Sequence, residues 1–384
     1  MTKRSSGRWD LFCRVVDNFG DIGVCWRLAR ILAGEHGISL RLIVDRPEIF
    51  VKISGDNIKS KKSKCYNEIS VVQWHDSLRP STDTVVVVEA FACDPPQQYV
   101  EAMANLPRCP LWINLEYLSA EAWVADCHGL VSRHPRFGLD KRLMIPGFDA
   151  ASAGLLREAS LDFERRRFLS DAAARGAMWR ALGLPPPVAG ELRASLFGYE
   201  NAAVPALLNA LSRQPRPITV LVPEGRSVAD LAARLNAPLR RTGDAWRRGS
   251  LGLRVVPFTD QNAYDRLLWA CDLNMVRGED SLVRALWSGG AMLWQAYPQS
   301  DDAHHAKVEA VLGRLLPWVD QAAAGEVGAL WLLWNGIPGP PPDWQRIAGT
   351  LDALSQAIDA WRRQLEAGPE LAMSLVNAAE KALT

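Results

Sequence analysis

The sequence predicts an α/β protein with two Rossmann-like halves in tandem. Three observations carry that reading. Apolar strand-like runs alternate with amphipathic helical stretches from residue 9 to about residue 150. The stiff segment "LPPP" at 184–187 then interrupts the chain, and the same alternation restarts beyond it. The length of 384 residues suits two domains at roughly 100 to 200 residues each. The expected division is an N-terminal domain over 1–150, a helical linking region over 151–187, and a C-terminal domain over 188–384 that ends in helices.

The first half opens with the strand "WDLFCRVV" and the loop "DNFGDIG". "VCWRLARILAGEHG" has Val24, Leu28, Ile31 and Leu32 at helical spacing, with Gly37 as its stop. "SLRLIVD" is a strand, and "TVVVVEAFA" is a continuous apolar run of the kind buried on both faces of a parallel sheet. "PPQQYVEAMANL" is a helix opened by proline, and "PLWINLEYL" is again a strand. The polar tract 56–68 reads as a loop or partly disordered insertion whose lysines face solvent or an acidic partner. One long helical stretch, "LDFERRRFLSDAAARGAMWRALG", precedes the interruption. Beyond it, "LRASLFGY", "PITVLVPEG", "LGLRVVPF", "CDLNMV" and "AMLWQAY" are strands separated by helices. The remainder is helical.

Composition excludes several classes. The apolar share is 48%, the charged share 23% and the net charge +1, so charge gives no sign of a nucleic-acid partner. The start "MTKRSSGRWD" has no apolar stretch behind its basic residues, which argues against a signal peptide. No run of about 18 apolar residues predicts a membrane helix. Seven scattered cysteines without a C-x-x-C pair suit reduced thiols in a cytoplasm rather than a disulfide frame or zinc site. His304 and His305 are adjacent, so on a helix they should point apart and lie on an exposed face rather than ligate a metal.

Ligands of open α/β sheets bind at the carboxyl ends of the strands. Two such halves are therefore expected to bring three loops around one interdomain cleft. In "RGEDS", Asp280 or Ser281 is expected to cap the following helix. The helix terminus and the planar fork of Arg277 suit a diphosphate. Glu279 cannot bind phosphate but can accept from sugar hydroxyls or meet a cation. The same cluster also reads as helix capping alone. Phe258 and Gln261, in "PFTDQ", suit a stacked base and a read base edge. Phe197 and Tyr199, in "LFGYEN", lie on one side of an extended chain, with Tyr199 able to cover a phosphate or sugar. Phe258 and Tyr199 equally suit plain packing.

The opening loop is the odd one. Asp17 and Asp21 repel phosphate where a dinucleotide enzyme would carry G-x-G-x-x-G, so a dehydrogenase is disfavoured. Two carboxylates there favour a cation, a divalent metal or a proton to be removed. Alternatively, Asp17 turns the loop and Asp21 caps the helix at Ile22.

Taken together, "WDLFCRVVDNFGDIGVCWRLAR", "LFGYEN", "VVPFTDQNAYDRLLWACDLNMVRGEDSLVRALWSG" and "AYPQ" resemble the EarP family, the bacterial protein-arginine rhamnosyltransferases of elongation factor P. The matching stretches run from Trp9 to Gln299, and the lysine-rich tract at 59–64 belongs to none of them. The resemblance implies a GT-B fold and inverting transfer of rhamnose from dTDP-β-L-rhamnose to one arginine of elongation factor P, which serves ribosomes stalled at polyproline. It implies Asp21 and Asp17 as essential carboxylates, with Glu279 as a third catalytic group. It implies donor contacts from Asn18, Phe19, Gly20, Phe197, Tyr199, Phe258, Gln261, Arg277, Gly278, Glu279, Asp280, Ser281 and Tyr297. No cofactor and no metal are expected, nor a nucleic acid or membrane partner. Other readings stay open: a sugar-nucleotide enzyme with another donor or acceptor, an epimerase, or a non-catalytic protein that binds elongation factor P or senses a nucleotide.

Overall fold

The computed structural model describes residues 7–17, 19–55, 63–66 and 68–383. The chain divides into two compact units. The first comprises Met1–Ala159 and Ala367–Thr384, and the second Ser160–Glu366.

In the first unit the elements run β1 (Arg8–Cys13), α1 (Gly20–Gly34), β2 (Leu40–Val44), α2 (Pro47–Ser54), β3 (Ser63–Tyr66) and β4 (Ile69–Gln73). They continue as β5 (Thr84–Ala90), α3 (Gln97–Ala104), β6 (Leu111–Leu115), α4 (Trp123–Cys127), β7 (Val131–Arg133) and β8 (Asp140–Met144). The sheet order is β3-β4-β2-β1-β5-β6-β8-β7. Its pairings are parallel except at the two edges, where β3 and β7 run antiparallel to their neighbours. The apolar run of β5 is buried almost throughout, as a central parallel strand should be. Phe12, Ile43, Val87, Tyr99 and Trp112 build the core on one face of this sheet. The chain lays β2 and β4 to one side of β1, then returns to place β5, β6 and β8 on the other. The direction of winding therefore reverses between β1 and β5. That is where an open α/β sheet leaves a crevice for a ligand.

The second unit begins with α5 (Leu161–Ser170) and α6 (Ala172–Ala181). Its sheet is built from β9 (Leu192–Leu196), α7 (Val204–Ser212), β10 (Ile218–Pro223), α8 (Arg226–Leu235), β11 (Ala245–Arg248), β12 (Leu251–Val256) and α9 (Gln261–Ala270). It is completed by β13 (Leu273–Arg277), α10 (Gly278–Ser288) and β14 (Ala291–Gln295). Then follow α11 (His304–Leu315), α12 (Gln321–Trp334) and α13 (Ile347–Leu365). The order is β11-β12-β10-β9-β13-β14, parallel except for β11. Winding reverses here between β9 and β13.

The structure differs from the sequence expectations at several points. Residues 160–187 are not a separate linking region. Trp179, Leu182 and Leu184 pack with Leu221, Val256 and Leu267 of the second unit, so burial assigns them there. The expected single long helix breaks at Asp171, whose extended backbone ends α5 and whose carboxylate accepts from Ala174 N at 2.9 Å to cap α6. The last helix, α14 (Leu371–Leu383), belongs to the first unit, not the second. Leu155 N donates to Pro369 O and Leu371 N to Leu155 O, stitching the returning chain to residues just past the first sheet. Gly154 there has φ +80, and a Cβ would fall 1.9 Å from Pro369 O, so only glycine admits the approach. Within the tract expected as a loop, residues 63–66 form the edge strand β3, while 56–62 and 67 lie outside the described residues. Among the described residues no helix is long and apolar enough to cross a membrane. The described cysteines are free thiols.

Candidate active site

Each winding reversal carries a cluster of the residues singled out above, and the two clusters differ in chemistry.

At the first, Asp17 and Asp21 bracket the turn between β1 and α1. Phe19 is the N-terminal flanking residue of α1, and no side chain caps that helix. Asp21 therefore does not cap at Ile22. It sits inside the first turn and points its carboxylate back into the loop, accepting from Val16 N at 2.7 Å and Asp17 N at 2.8 Å. Its position in the first turn also suits the positive end of the helix dipole. Asp21 is 3% exposed. Burial raises its pKa above the ordinary aspartate value. The two backbone donors oppose that rise, the neighbouring Asp17 charge adds to it, and the hydroxyl of Tyr117, 3.3 Å from Oδ1, lowers it again. The balance is a carboxylate more basic than usual. Asp17 is half-buried, and its carbonyl accepts from Gly20 N at 2.7 Å. A Cβ at Gly20 would come 2.9 Å from Asp17 Oδ2, so the glycine makes room for that carboxylate. Asn18 lies outside the described residues.

At the second reversal, Arg277 ends β13. Its guanidinium lies over two rings, 4.8 Å from the centroid of Phe197 and 4.4 Å from that of Tyr199. Tyr199 in turn meets Tyr297 edge-on at 5.4 Å. The expected common side of Phe197 and Tyr199 is thus the side that holds Arg277. Tyr199 N donates to Gln295 Oε1 at 2.9 Å, and Gln295 Nε2 donates to Glu200 O at 3.2 Å, so a β14 side chain fixes the loop after β9.

The helix α10 starts earlier than expected. Arg277 is its flanking residue, Gly278 takes φ +64, and no side chain caps the terminus. Asp280 and Ser281 lie inside the first turn and do not cap it. Gly278 is needed because its left-handed backbone swings the chain from strand to helix, with Trp294 Nε1 donating to its carbonyl at 2.7 Å. Glu279 pairs with Lys307 of α11 at 3.8 Å. Gln261, buried at the start of α9, donates to Asp280 at 3.4 Å. Asp265 and Arg284 join α9 to α10 by a buried fork, with Nε–Oδ1 at 2.9 Å and Nη2–Oδ2 at 2.8 Å. Phe258 is half-buried in the loop between β12 and α9, and Asp260 caps α9 through Ala263 N at 2.8 Å.

His304 and His305 do not point apart on an exposed face. Their rings meet at 4.6 Å, and His304 is buried, accepting from Gln299 N. At the first position of α11, His304 folds back onto the chain before the helix, and Asp302 completes a compact group with the two rings.

Tyr117, Phe91, Gln295 and Lys307 were not marked by the sequence. Strand-end aromatics and amides are common, and only the strand order shows which of them reach the same crevice.

Two parallel sheets, each reversing its winding once, fit the paired Rossmann-like units of a GT-B fold. A solved structure described as giving the structural basis for EarP-mediated arginine glycosylation of translation elongation factor EF-P aligns with TM-score 0.67 and 32% identity. The alignment covers 98% of this chain and 99% of that one. A UGT transferase from Siraitia grosvenorii shares the fold alone, with TM-score 0.50 at 11% identity over 98% of this chain and 100% of its own. The model of the family described as elongation-factor P (EF-P) rhamnosyltransferase EarP matches residues 9–380. A protein-arginine rhamnosyltransferase of Pseudomonas aeruginosa is 44% identical over 358 residues, 93% of each chain. One of Shewanella oneidensis is 40% identical over 322 residues, 81% of each. The chain belongs to the EarP family of elongation-factor P rhamnosyltransferases.

Proposed function

We propose that this enzyme moves L-rhamnose from dTDP-β-L-rhamnose to one arginine of elongation factor P, with inversion at the anomeric carbon. One observation carries the reading in a chain of this family. A buried, unusually basic carboxylate, Asp21, stands at the winding reversal of one sheet, while the reversal of the other carries a caged arginine.

The acceptor guanidinium is cationic at any ordinary pH, because its pKa exceeds about 12. Asp17 and Asp21 orient it and localise its charge. As a guanidinium nitrogen bonds to the anomeric carbon, the bond from that carbon to the dTDP oxygen breaks, and Asp21 takes the nitrogen's proton. The product is a cationic rhamnosyl-guanidinium together with free dTDP. The charge growing on the leaving diphosphate is met by Arg277 and the uncapped terminus of α10. Phe258 stacks on thymine, and Gln261 exchanges its bond to Asp280 for the base edge. Glu279 and Tyr297 attend the sugar. Asn18, Phe19 and Gly20 are assigned further donor contacts. No metal takes part, and the reaction is cytoplasmic, activating elongation factor P for ribosomes stalled at polyproline.

The test is the intact mass of elongation factor P after incubation with this enzyme and dTDP-β-L-rhamnose. A gain of one deoxyhexose on one arginine is expected. An unchanged mass, with the donor intact, contradicts the proposal.

A further inference from the structure

We propose that Tyr117 is a positioning residue for Asp21, and that Phe91 is the fixed ring that holds Tyr117 in place. The inference rests on the assignment of Asp21 as the base. Tyr117 lies two residues past β6 and reaches Asp21 Oδ1 with its hydroxyl at 3.3 Å. It is the one side-chain donor to that carboxylate with a direct bond seen among the described residues; the other two donors are backbone N–H groups. The donors converge on both oxygens. Val16 N and Asp17 N hold Oδ2, and Tyr117 holds Oδ1, which orients the carboxylate from two sides.

Tyr117 is itself clamped. Its ring stacks on Phe91 with centroids 4.3 Å apart and planes 11° from parallel. Phe91 follows β5, the strand across the reversal from β1, so the topology delivers it to the crevice where Asp21 stands. Its backbone takes φ +61, and Ala92 and Asp94 are also left-handed, at +47 and +49. Such a conformation is unfavourable for non-glycine residues and persists only where neighbours enforce it. Here the enforcers are visible. Phe91 N donates to Leu115 O at 2.6 Å, Ala92 N donates to Asn114 Oδ1 at 3.2 Å, and the Phe91 ring is held by the stack. A strained loop tied to β6 at two points and to Tyr117 at a third holds a phenol against a buried carboxylate.

The groups facing Asp21 are Asp17 from its own loop, Cys13 of β1, Cys25 of α1 and Tyr117. Both thiols are pushed up by burial and stay neutral. Tyr117 is the neutral donor that a side-chain substitution can remove, and its loss disfavours the charged carboxylate. Losing a donor to an anion raises its pKa.

The experiment compares wild type, Tyr117→Phe and Asp21→Asn as full-length chains, with elongation factor P and dTDP-β-L-rhamnose at saturation. The pH dependence of transfer is followed by intact mass. Tyr117→Phe keeps the ring stack. It should retain wild-type dTDP affinity and lose up to about tenfold in rate at neutral pH, as removal of one hydrogen bond allows. The acidic limb of its profile should move upward by up to about one pH unit. A role in packing alone lowers the melting temperature and leaves the limb where it was, and that result overturns the inference. Phe91→Leu should shift the limb in the same direction by loosening the clamp. If Asp21→Asn keeps both its transfer and an unchanged acidic limb, the base assignment beneath the inference fails. If Asp21→Asn is inactive while the limb of Tyr117→Phe stays put, only the role of Tyr117 fails.

Discussion

The two units follow one plan and arrive at opposite chemistry. In each, a parallel sheet reverses its winding once, between β1 and β5 in the first and between β9 and β13 in the second. In each, the strand beside the reversal feeds a helix whose terminus no side chain caps. The first reversal presents carboxylates, one of them buried and basic. The second presents an arginine over two aromatic rings. The fold supplies a crevice and a helix dipole, and the two or three residues at the turn decide what enters. The first turn of α1 carries Asp21 and that of α10 carries Glu279 and Asp280, so the contrast lies in the groups around each terminus: Asp17 beside α1, and Arg277 with the Lys307 that pairs with Glu279 beside α10.

That contrast can be broken from either side. The largest effect is expected at the acidic reversal. Asp21→Asn should lower the transfer rate by about 10²- to 10⁴-fold, since an amide takes up no proton at neutral pH. Single-turnover transfer followed by intact mass measures it, and near-wild-type transfer would reduce Asp21 to a loop-forming residue. At the cationic reversal, Arg277→Lys keeps the charge but loses the planar fork that lies over Phe197 and Tyr199. A fall in kcat of about 10²- to 10³-fold is expected, the scale of removing one donor to a developing anion. Unchanged kcat would take Arg277 out of the reaction. Phe258→Ala should weaken dTDP binding by about 1–3 kcal/mol, the contribution of one stacked base, with no change in affinity for elongation factor P. Titration calorimetry with dTDP reads the first and binding of the acceptor alone reads the second. The smallest effect is none at all: transfer should be unaffected by EDTA. Loss of activity restored by magnesium or manganese would recast Asp17 and Asp21 as ligands.

The sequence exposed the parts of the fold set by local pattern. The continuous apolar run of β5 and the helical spacing in α1 are readable because burial imposes them residue by residue. The loops of both reversals were legible for the same reason, as breaks after apolar runs. Features that depend on distant partners were not. Nothing local tells that Leu155 will bond to the chain at 369–371 and draw α14 to the first unit. The break at Asp171 did carry a signal, an aspartate three residues before the N–H it caps, but the arginines and leucine before it and the alanines after it favour helix on both sides and hide it. Asp280 and Ser281 misled because Gly278 can turn directly into a helix, which moves the terminus back to Arg277. Tyr117 and Phe91 come from different strands, and their meeting at Asp21 follows from strand order rather than from spacing.

The division of labour between the two reversals is tested most directly by titrating dTDP into the Asp21→Asn enzyme by calorimetry. The diphosphate and base are assigned to Arg277, α10 and Phe258, all in the second unit, so removing a first-unit charge should leave the dissociation constant within about twofold of wild type, a change of roughly 0.4 kcal/mol. Loss of dTDP binding in that variant would make the Asp21 carboxylate one of the groups that hold dTDP and contradict the account.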